Sequence, residues 1–120
     1  MIVGRVIHGA KIGRTLGFPT ANIAVSPEAL RVPFGIYAAQ VLERPAAVSI
    51  GVRPTFGKDL GPLLEAHILD FDEDLYGREL AVELLAFLRE EAHFETTEAL
   101  RFQIARDVSD ARAIWARVVR

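Results

Sequence analysis

Short apolar runs recur along the first three quarters of the chain, and glycine and proline separate them. Runs of this length, rich in β-branched residues, are typical of β-strands. The run at 78–89 also has the alanine and leucine content of a helix. We interpret it as a strand because a glycine-containing turn joins it to the strand before. The pattern thus predicts strands at residues 2–8, 35–42, 46–52, 63–71 and 78–89.

The segments between these runs are interpreted as loops and turns. Residues 9–22 are predicted to form a structured loop, and residues 24–34 to be mostly connection because they contain Ser26-Pro27 and Val32-Pro33. A short turn at residues 43–45 would make the second and third strands a hairpin.

The last quarter of the chain has a different periodicity, with apolar residues spaced by threes and fours, which predicts one face of a long helix. Thr96 or Thr97 would cap its start, and Arg112, Arg117 and Arg120 would suit its dipole near the end. Strands followed by one long helix predict a closed or nearly closed antiparallel barrel with the helix packed outside. The apolar stripe consists of Leu100, Ile104, Val108, Ala111, Trp115 and Val118.

Composition narrows the class of protein. A chain of 120 residues with 51% apolar residues suits one globular domain, predicted to span residues 1–120. The net charge of −2 gives no bias toward nucleic acid or anionic membranes, and we expect neither as a partner. The chain has no cysteine, which excludes disulfides and thiolate metal sites. The absence of a long apolar run favours the cytoplasm.

Candidate chemistry begins in the first loop, where Gly9, Lys11, Gly13 and Arg14 alternate. Glycine lets backbone N–H groups approach a phosphate closely, and the two cations would offset its charge. The spacing is not that of a Walker A loop. A phosphate-binding loop and an ordinary solvated loop both fit this segment.

Two neutral oxygens follow, on Thr20 and Asn22. Mg²⁺ prefers oxygen ligands and takes few from protein when a nucleotide supplies the others, so the pair suits a metal that arrives with phosphates. Alternatively, both side chains bond to their own turn.

Two further residues are candidates on strands. Glu65 alternates with Leu64 and Ala66, so it faces the opposite side of its strand. There it would accept a proton from a substrate hydroxyl or simply face solvent. Arg89 ends the last strand, where it would meet an anionic or aromatic ligand or pair with Glu90 or Glu91. The three histidines are too scattered to suggest a metal cluster.

Five blocks in order resemble the riboflavin kinase family: "GRVIHGAKIGRTLGFPTAN", "FGIYAAQV", "SIGVRPTF", "LEAHILDFDEDLYG" and "FLREEAHFETTEALRFQIARD". They cover nearly the whole chain. The resemblance implies a six-stranded antiparallel Greek-key barrel with a long C-terminal helix outside. It also implies transfer of the ATP γ-phosphate to the 5′-hydroxyl of riboflavin, which gives FMN and ADP.

The resemblance also implies roles for single residues. Thr20 and Asn22 would bind Mg²⁺ and the nucleotide phosphates, and Glu65 would be the catalytic base. Residues 9–17, with Gly9, Lys11, Gly13 and Arg14, would form a flap over the phosphates. Arg89 would help form the flavin site.

In bacterial relatives this module is usually joined to an N-terminal FMN adenylyltransferase domain. Its His-x-Gly-His type motif is absent here, so the predicted product is FMN and not FAD. A non-catalytic flavin- or nucleotide-binding barrel is the alternative, and the presence of both Glu65 and the Thr20/Asn22 pair argues against it. An oligonucleotide-binding barrel would show a basic face with aromatic residues, which this mildly acidic chain lacks.

Overall fold

The computed structural model describes residues 1–7, 17–26, 30–52 and 62–119. Six strands in these ranges close into an antiparallel barrel in the order β1-β2-β5-β4-β3-β6. The strands β3, β4 and β5 are successive neighbours, and β6 returns to lie beside β3, which is a Greek key. The predicted barrel class is therefore confirmed. The strands are β1 (Ile2–Ile7), β2 (Ala21–Ala24), β3 (Gly35–Val41), β4 (Arg44–Val52), β5 (Pro62–Ile68) and β6 (Glu79–Arg89).

Strand alternation decides which side chains fill the barrel. In β5, Leu64, Ala66 and Ile68 are buried, while Leu63, Glu65 and His67 are only partly so. The fully buried side chains of β2, β4 and β6 meet these in one core, because residues two apart share a face. The largest side chains in the molecule with almost no exposure are Ile23, Ile50, Leu64, Leu69, Val41, Val48 and Val82.

The helix α1 (Thr97–Val118) packs on the outside of the barrel, over β3, β4 and β6. The Thr96 hydroxyl caps its start by accepting a hydrogen bond from the Ala99 N–H at 3.0 Å, which confirms one of the two predicted caps.

At the end of α1, Arg117 lies in the last turn, as the dipole favours, while Arg120 lies outside the described residues. Val118, the last residue of the predicted stripe, is 61% exposed, so the packed part of the stripe ends before it.

The strand β2 contradicts the prediction that residues 9–22 are loop and 24–34 mostly connection. Pro19, Thr20 and Asn22 have turn propensity, but the backbone of Ala21–Ala24 pairs with β1 on one side and β5 on the other. Pairing on both sides satisfies the backbone N–H and C=O groups, and the stabilisation from this pairing outweighs the turn propensity of the individual residues.

The hairpin between β3 and β4 turns at Leu42 and Glu43, not at residues 43–45 as predicted. Val41 pairs with Arg44, and Pro45 lies inside β4 opposite Gln40. Leu42 (φ 53°) and Glu43 (φ 60°) both adopt the left-handed conformation that a two-residue hairpin of matching twist requires. Neither residue is the Asn or Gly that usually signals this turn, so no local pattern predicts it.

Candidate active site

A row of three polar residues crosses the outer face of the barrel wall. Glu65 on β5 lies opposite Asn22 on β2 and opposite Ser49 on β4. Residues directly opposite in antiparallel strands project to the same face, with Cβ atoms about 5 Å apart. Glu65 faces away from the core side chains Leu64 and Ala66. The register thus brings Asn22 and Glu65, two of the predicted site residues, side by side.

Burial makes Glu65 an unusual carboxyl group for an outer face. Partial burial raises its pKa above the ordinary glutamate value, and the nearby negative charge of Glu91 raises the pKa further. Glu91 is held close because its carboxylate accepts a hydrogen bond from the Ser49 hydroxyl at 3.0 Å. A carboxylate with a raised pKa is a stronger base, which suits proton removal from an alcohol.

The side-chain oxygen of Asn22 is a buried hydrogen-bond acceptor. Asn22 is 6% exposed, and its Oδ1 has no hydrogen-bond donor in the part of the chain that the structure describes. A buried amide oxygen without a donor is costly, and a bound cation would compensate for it. Oxygen is also the ligand type that Mg²⁺ selects. The residues present therefore fit a divalent metal at this position.

Thr20 lies between two cavities. The first, of about 260 Å³, is lined by Thr20, Asn22 and the loop after β5, including Asp72, Glu73 and Asp74; we call it the acidic-loop cavity. The second, of about 380 Å³, is lined by Thr20, Glu65, Ser49 and Glu91 together with aromatic and aliphatic side chains; we call it the aromatic cavity. Thr20 therefore marks the place where a ligand in one cavity would meet a ligand in the other.

The aromatic cavity lies between the outer wall of the barrel, the segment after β6 and the helix. Phe18 and Phe94 line it, and Leu100 and Ile104 contribute the inward face of α1. An apolar cleft with a few polar groups at one end suits a flat aromatic ligand with a polar tail.

His67 fixes the segment that carries Thr20. Its Nδ1 lies 2.7 Å from the Pro19 carbonyl oxygen, and because a carbonyl only accepts, Nδ1 carries the proton. The Phe18 ring packs edge-on against the His67 ring, with centroids 5.5 Å apart. These contacts hold residues 18–20 against β5, beside Glu65.

Arg89 is tied to the helix. Its Nε and Nη2 donate to the two carboxylate oxygens of Asp107 at 2.9 and 2.7 Å, and Asp107 also accepts from Gln103. Arg89 lines the aromatic cavity, but its partner is Asp107, not the neighbouring Glu90 or Glu91 side chains. The sequence held a signal for this pair, because Asp107 falls on the apolar stripe of α1, where a charge needs a partner.

The remaining predicted site residues, Gly9, Lys11, Gly13 and Arg14, lie outside the described residues. Within the ranges that are described, no three His, Cys, Asp or Glu side chains converge as metal ligands. Nor does any helix there have the length and apolar character to cross a membrane.

Comparison with known proteins shows the family and the fold of the chain. The family model for riboflavin kinase, Flavokinase, matches residues 1–115. The chain belongs to the riboflavin kinase family. A bifunctional riboflavin kinase/FMN adenylyltransferase of Pseudomonas fluorescens is 46% identical over 96% of this chain. The match covers 38% of that relative, so this riboflavin kinase domain spans little more than a third of its length.

Two solved structures share the fold. The crystal structure of a Trypanosoma brucei riboflavin kinase matches 98% of this chain and 80% of its own, with a TM-score of 0.68 and 27% identity. A Streptococcus pneumoniae protein described as a macrolide-efflux protein matches 92% of this chain and 38% of its own, with a TM-score of 0.82 and 30% identity. The barrel with its outer helix is thus the architecture of a riboflavin kinase.

Proposed function

We propose that this domain transfers the γ-phosphoryl group of ATP to the 5′-hydroxyl of riboflavin, giving FMN and ADP. The observation that carries the proposal is the position of Glu65 in the aromatic cavity, directly opposite Asn22, which lines the neighbouring acidic-loop cavity. A phosphoryl acceptor in one cavity and a donor in the other would meet at Thr20.

In this proposal the flavin ring occupies the aromatic cavity and its ribityl chain points toward Glu65. The Glu65 carboxylate orients the 5′-hydroxyl and takes its proton as the new O–P bond forms, while the bond between the γ-phosphorus and the β,γ-bridging oxygen breaks. The bridging oxygen leaves with ADP. Proton transfer accompanies bond formation because an alcohol is a far weaker acid than the protonated carboxyl.

Thr20 and Asn22 are the proposed ligands of the metal–nucleotide complex. ATP and a divalent metal serve the family generally, and Mg²⁺ is our specific assignment. A divalent ion bound there would neutralise phosphate charge and so stabilise the transition state. That compensation is needed because Asp72, Glu73 and Asp74 line the same cavity. We further propose that Gly9, Lys11, Gly13 and Arg14 cover the phosphates.

Arg89 has two roles in the proposal. It lines the flavin cavity, and through Asp107 it fixes the helix that forms the cavity's far wall. The cytoplasm stays the predicted location, and an FMN adenylyltransferase domain stays the predicted partner in the full-length protein.

The test is incubation of the purified chain with riboflavin, ATP and Mg²⁺, followed by chromatography. We expect FMN and ADP in equal amounts and loss of the reaction with a chelator. Riboflavin bound tightly but never phosphorylated would instead support the alternative, a non-catalytic flavin-binding barrel. With FMN and ATP supplied, we expect neither FAD nor pyrophosphate, and sustained FAD synthesis would contradict the assignment to FMN alone.

A further inference from the structure

Glu91 lines the aromatic cavity, where a hydrogen bond holds its carboxylate. Its Oε1 accepts from the Ser49 hydroxyl at 3.0 Å, and its carboxylate lies against Gly51 on β4. A Cβ on Gly51 would stand 2.8 Å from Oε1 and 3.0 Å from Oε2, so a side chain there would displace the carboxylate. The carboxylate therefore occupies space that Gly51 leaves open, and Ser49 orients it.

The position of Glu91 relative to Glu65 follows from the register. Ser49 lies directly opposite Glu65, and Glu91 is one hydrogen bond beyond Ser49. Neighbouring strands are roughly 5 Å apart, so Glu91 lies close to the space that a chain with its end hydroxyl at Glu65 would occupy. Both residues line the same cavity.

Glu91 has spare acceptor capacity in this position. A carboxylate has about four lone-pair sites, and Ser49 uses one on Oε1. A ligand that satisfies the others must offer several O–H or N–H donors side by side. The ribityl chain of riboflavin offers hydroxyl groups on consecutive carbons.

We propose that Glu91, held by Ser49, is a specificity-determining residue that binds the internal hydroxyls of the flavin's polyol chain. This inference rests on the proposed function. Glu91 is exposed in the free chain, so the discrimination depends on the bound flavin covering it: an analogue without the internal hydroxyls would then leave the carboxylate unpaired. Glu91 thereby selects flavins with a polyhydroxylated chain over flavins with a plain alkyl alcohol.

The experiment compares two substrates, riboflavin and a flavin with a 5-hydroxypentyl chain, which keeps the terminal hydroxyl and the ring but lacks the internal hydroxyls. Glu91→Ala should lower kcat/KM for riboflavin about 10- to 100-fold, the range for hydrogen bonds to a charged group. It should lower kcat/KM for the hydroxypentyl flavin far less, because only the effect of the Glu91 charge on Glu65 is lost there. Glu90→Gln is the matched control, since Glu90 is the adjacent acid outside the cavity lining, and it should change neither value.

Equal losses on both substrates, or no loss on riboflavin, would overturn the proposal, since a merely structural role affects both alike. Equilibrium binding of the two flavins, followed by quenching of flavin fluorescence, gives the same comparison without turnover. If the parent chain bound riboflavin but formed no FMN, the proposed function would fail while the binding ratio still decided the role of Glu91.

Discussion

The inner and outer faces of the barrel wall differ in the chemistry of their side chains, although inward- and outward-facing residues alternate along the same strands. On β5, Leu64 is fully buried in the core, and Glu65, the next residue, faces the aromatic cavity beside Ser49 and Asn22. The inner face is apolar and closely packed. The outer face carries the polar row and is covered in part by α1. Under the proposed function, core packing and chemistry are one residue apart on the same strand, so neighbouring substitutions should have different effects.

The largest effect we expect on the outer face, apart from that of Glu65, is at the proposed metal ligands. Asn22→Ala and Thr20→Ala should each lower turnover by roughly 10²- to 10³-fold at limiting metal, the scale of losing one preorganised transition-state contact. Thr20→Ser retains the hydroxyl and should retain most activity. Steady-state rates at several Mg²⁺ concentrations measure this. Unchanged rates in both alanine variants would refute the metal assignment.

The inner face should show the opposite result. Leu64→Ala removes a side chain with no exposure, and we expect the free energy of unfolding to fall by about 2–5 kcal/mol. Leu63→Ala, one residue earlier on the partly exposed face, should cost clearly less. Urea denaturation of both variants gives the comparison. Equal losses would mean that the alternation along β5 does not separate core from surface.

Two arginine–aspartate pairs join the helix to the barrel, and we expect them to differ in what they contribute to stability. Asp107, nearly buried, holds Arg89, and Asp107→Asn should lower the free energy of unfolding by about 1.5–3 kcal/mol. The pair between Arg112 and Asp70 also joins helix and barrel, but both side chains are more than half exposed, so Asp70→Asn should leave stability unchanged. Urea denaturation separates the two, and a larger loss in the Asp70 variant would reverse our interpretation.

The smallest expected effect is on pH dependence. The raised pKa of Glu65 means that activity, which needs its carboxylate, should rise with pH at a higher pH than an ordinary glutamate allows. The folded state binds the proton more tightly than the unfolded state, so stability should fall as pH rises between the two pKa values. Glu65→Gln should flatten that stability slope. An activity limb at the ordinary glutamate pKa would contradict the burial of this group.

The sequence predicted most of the architecture because strand periodicity and the helical stripe are local signals. Residues 78–89 were interpreted correctly as a strand on the evidence of the turn before them. The strand β2 was missed because its four residues are held by partners on both sides, which no local pattern reports. The hairpin turn at Leu42–Glu43 was misplaced since neither residue favours a positive φ.

The candidate site was predicted only in part, because contacts between strands leave no local pattern in the sequence. Thr20, Asn22, Glu65 and Arg89 were identified mainly through family resemblance, but their relations to one another depend on the strand register. Ser49 and Glu91 were not singled out as candidate site residues, because Ser49 meets Glu65 only through strand pairing and Glu91 meets Ser49 only through a hydrogen bond. Residue type gave the possible chemistry, and only the register showed which groups meet.

Glu65 on the outer face is the proposed base for phosphoryl transfer to riboflavin. Glu65→Gln keeps the size of the side chain and removes the base, so the kinetics of this variant test the role of Glu65. We predict that kcat for FMN formation falls by roughly 10²- to 10⁴-fold, while riboflavin affinity and the thermal midpoint stay close to those of the parent chain. Glu83→Gln on the exposed face of β6 serves as the control. A Glu65→Gln variant that forms FMN at nearly the parental kcat would show that Glu65 is not the base.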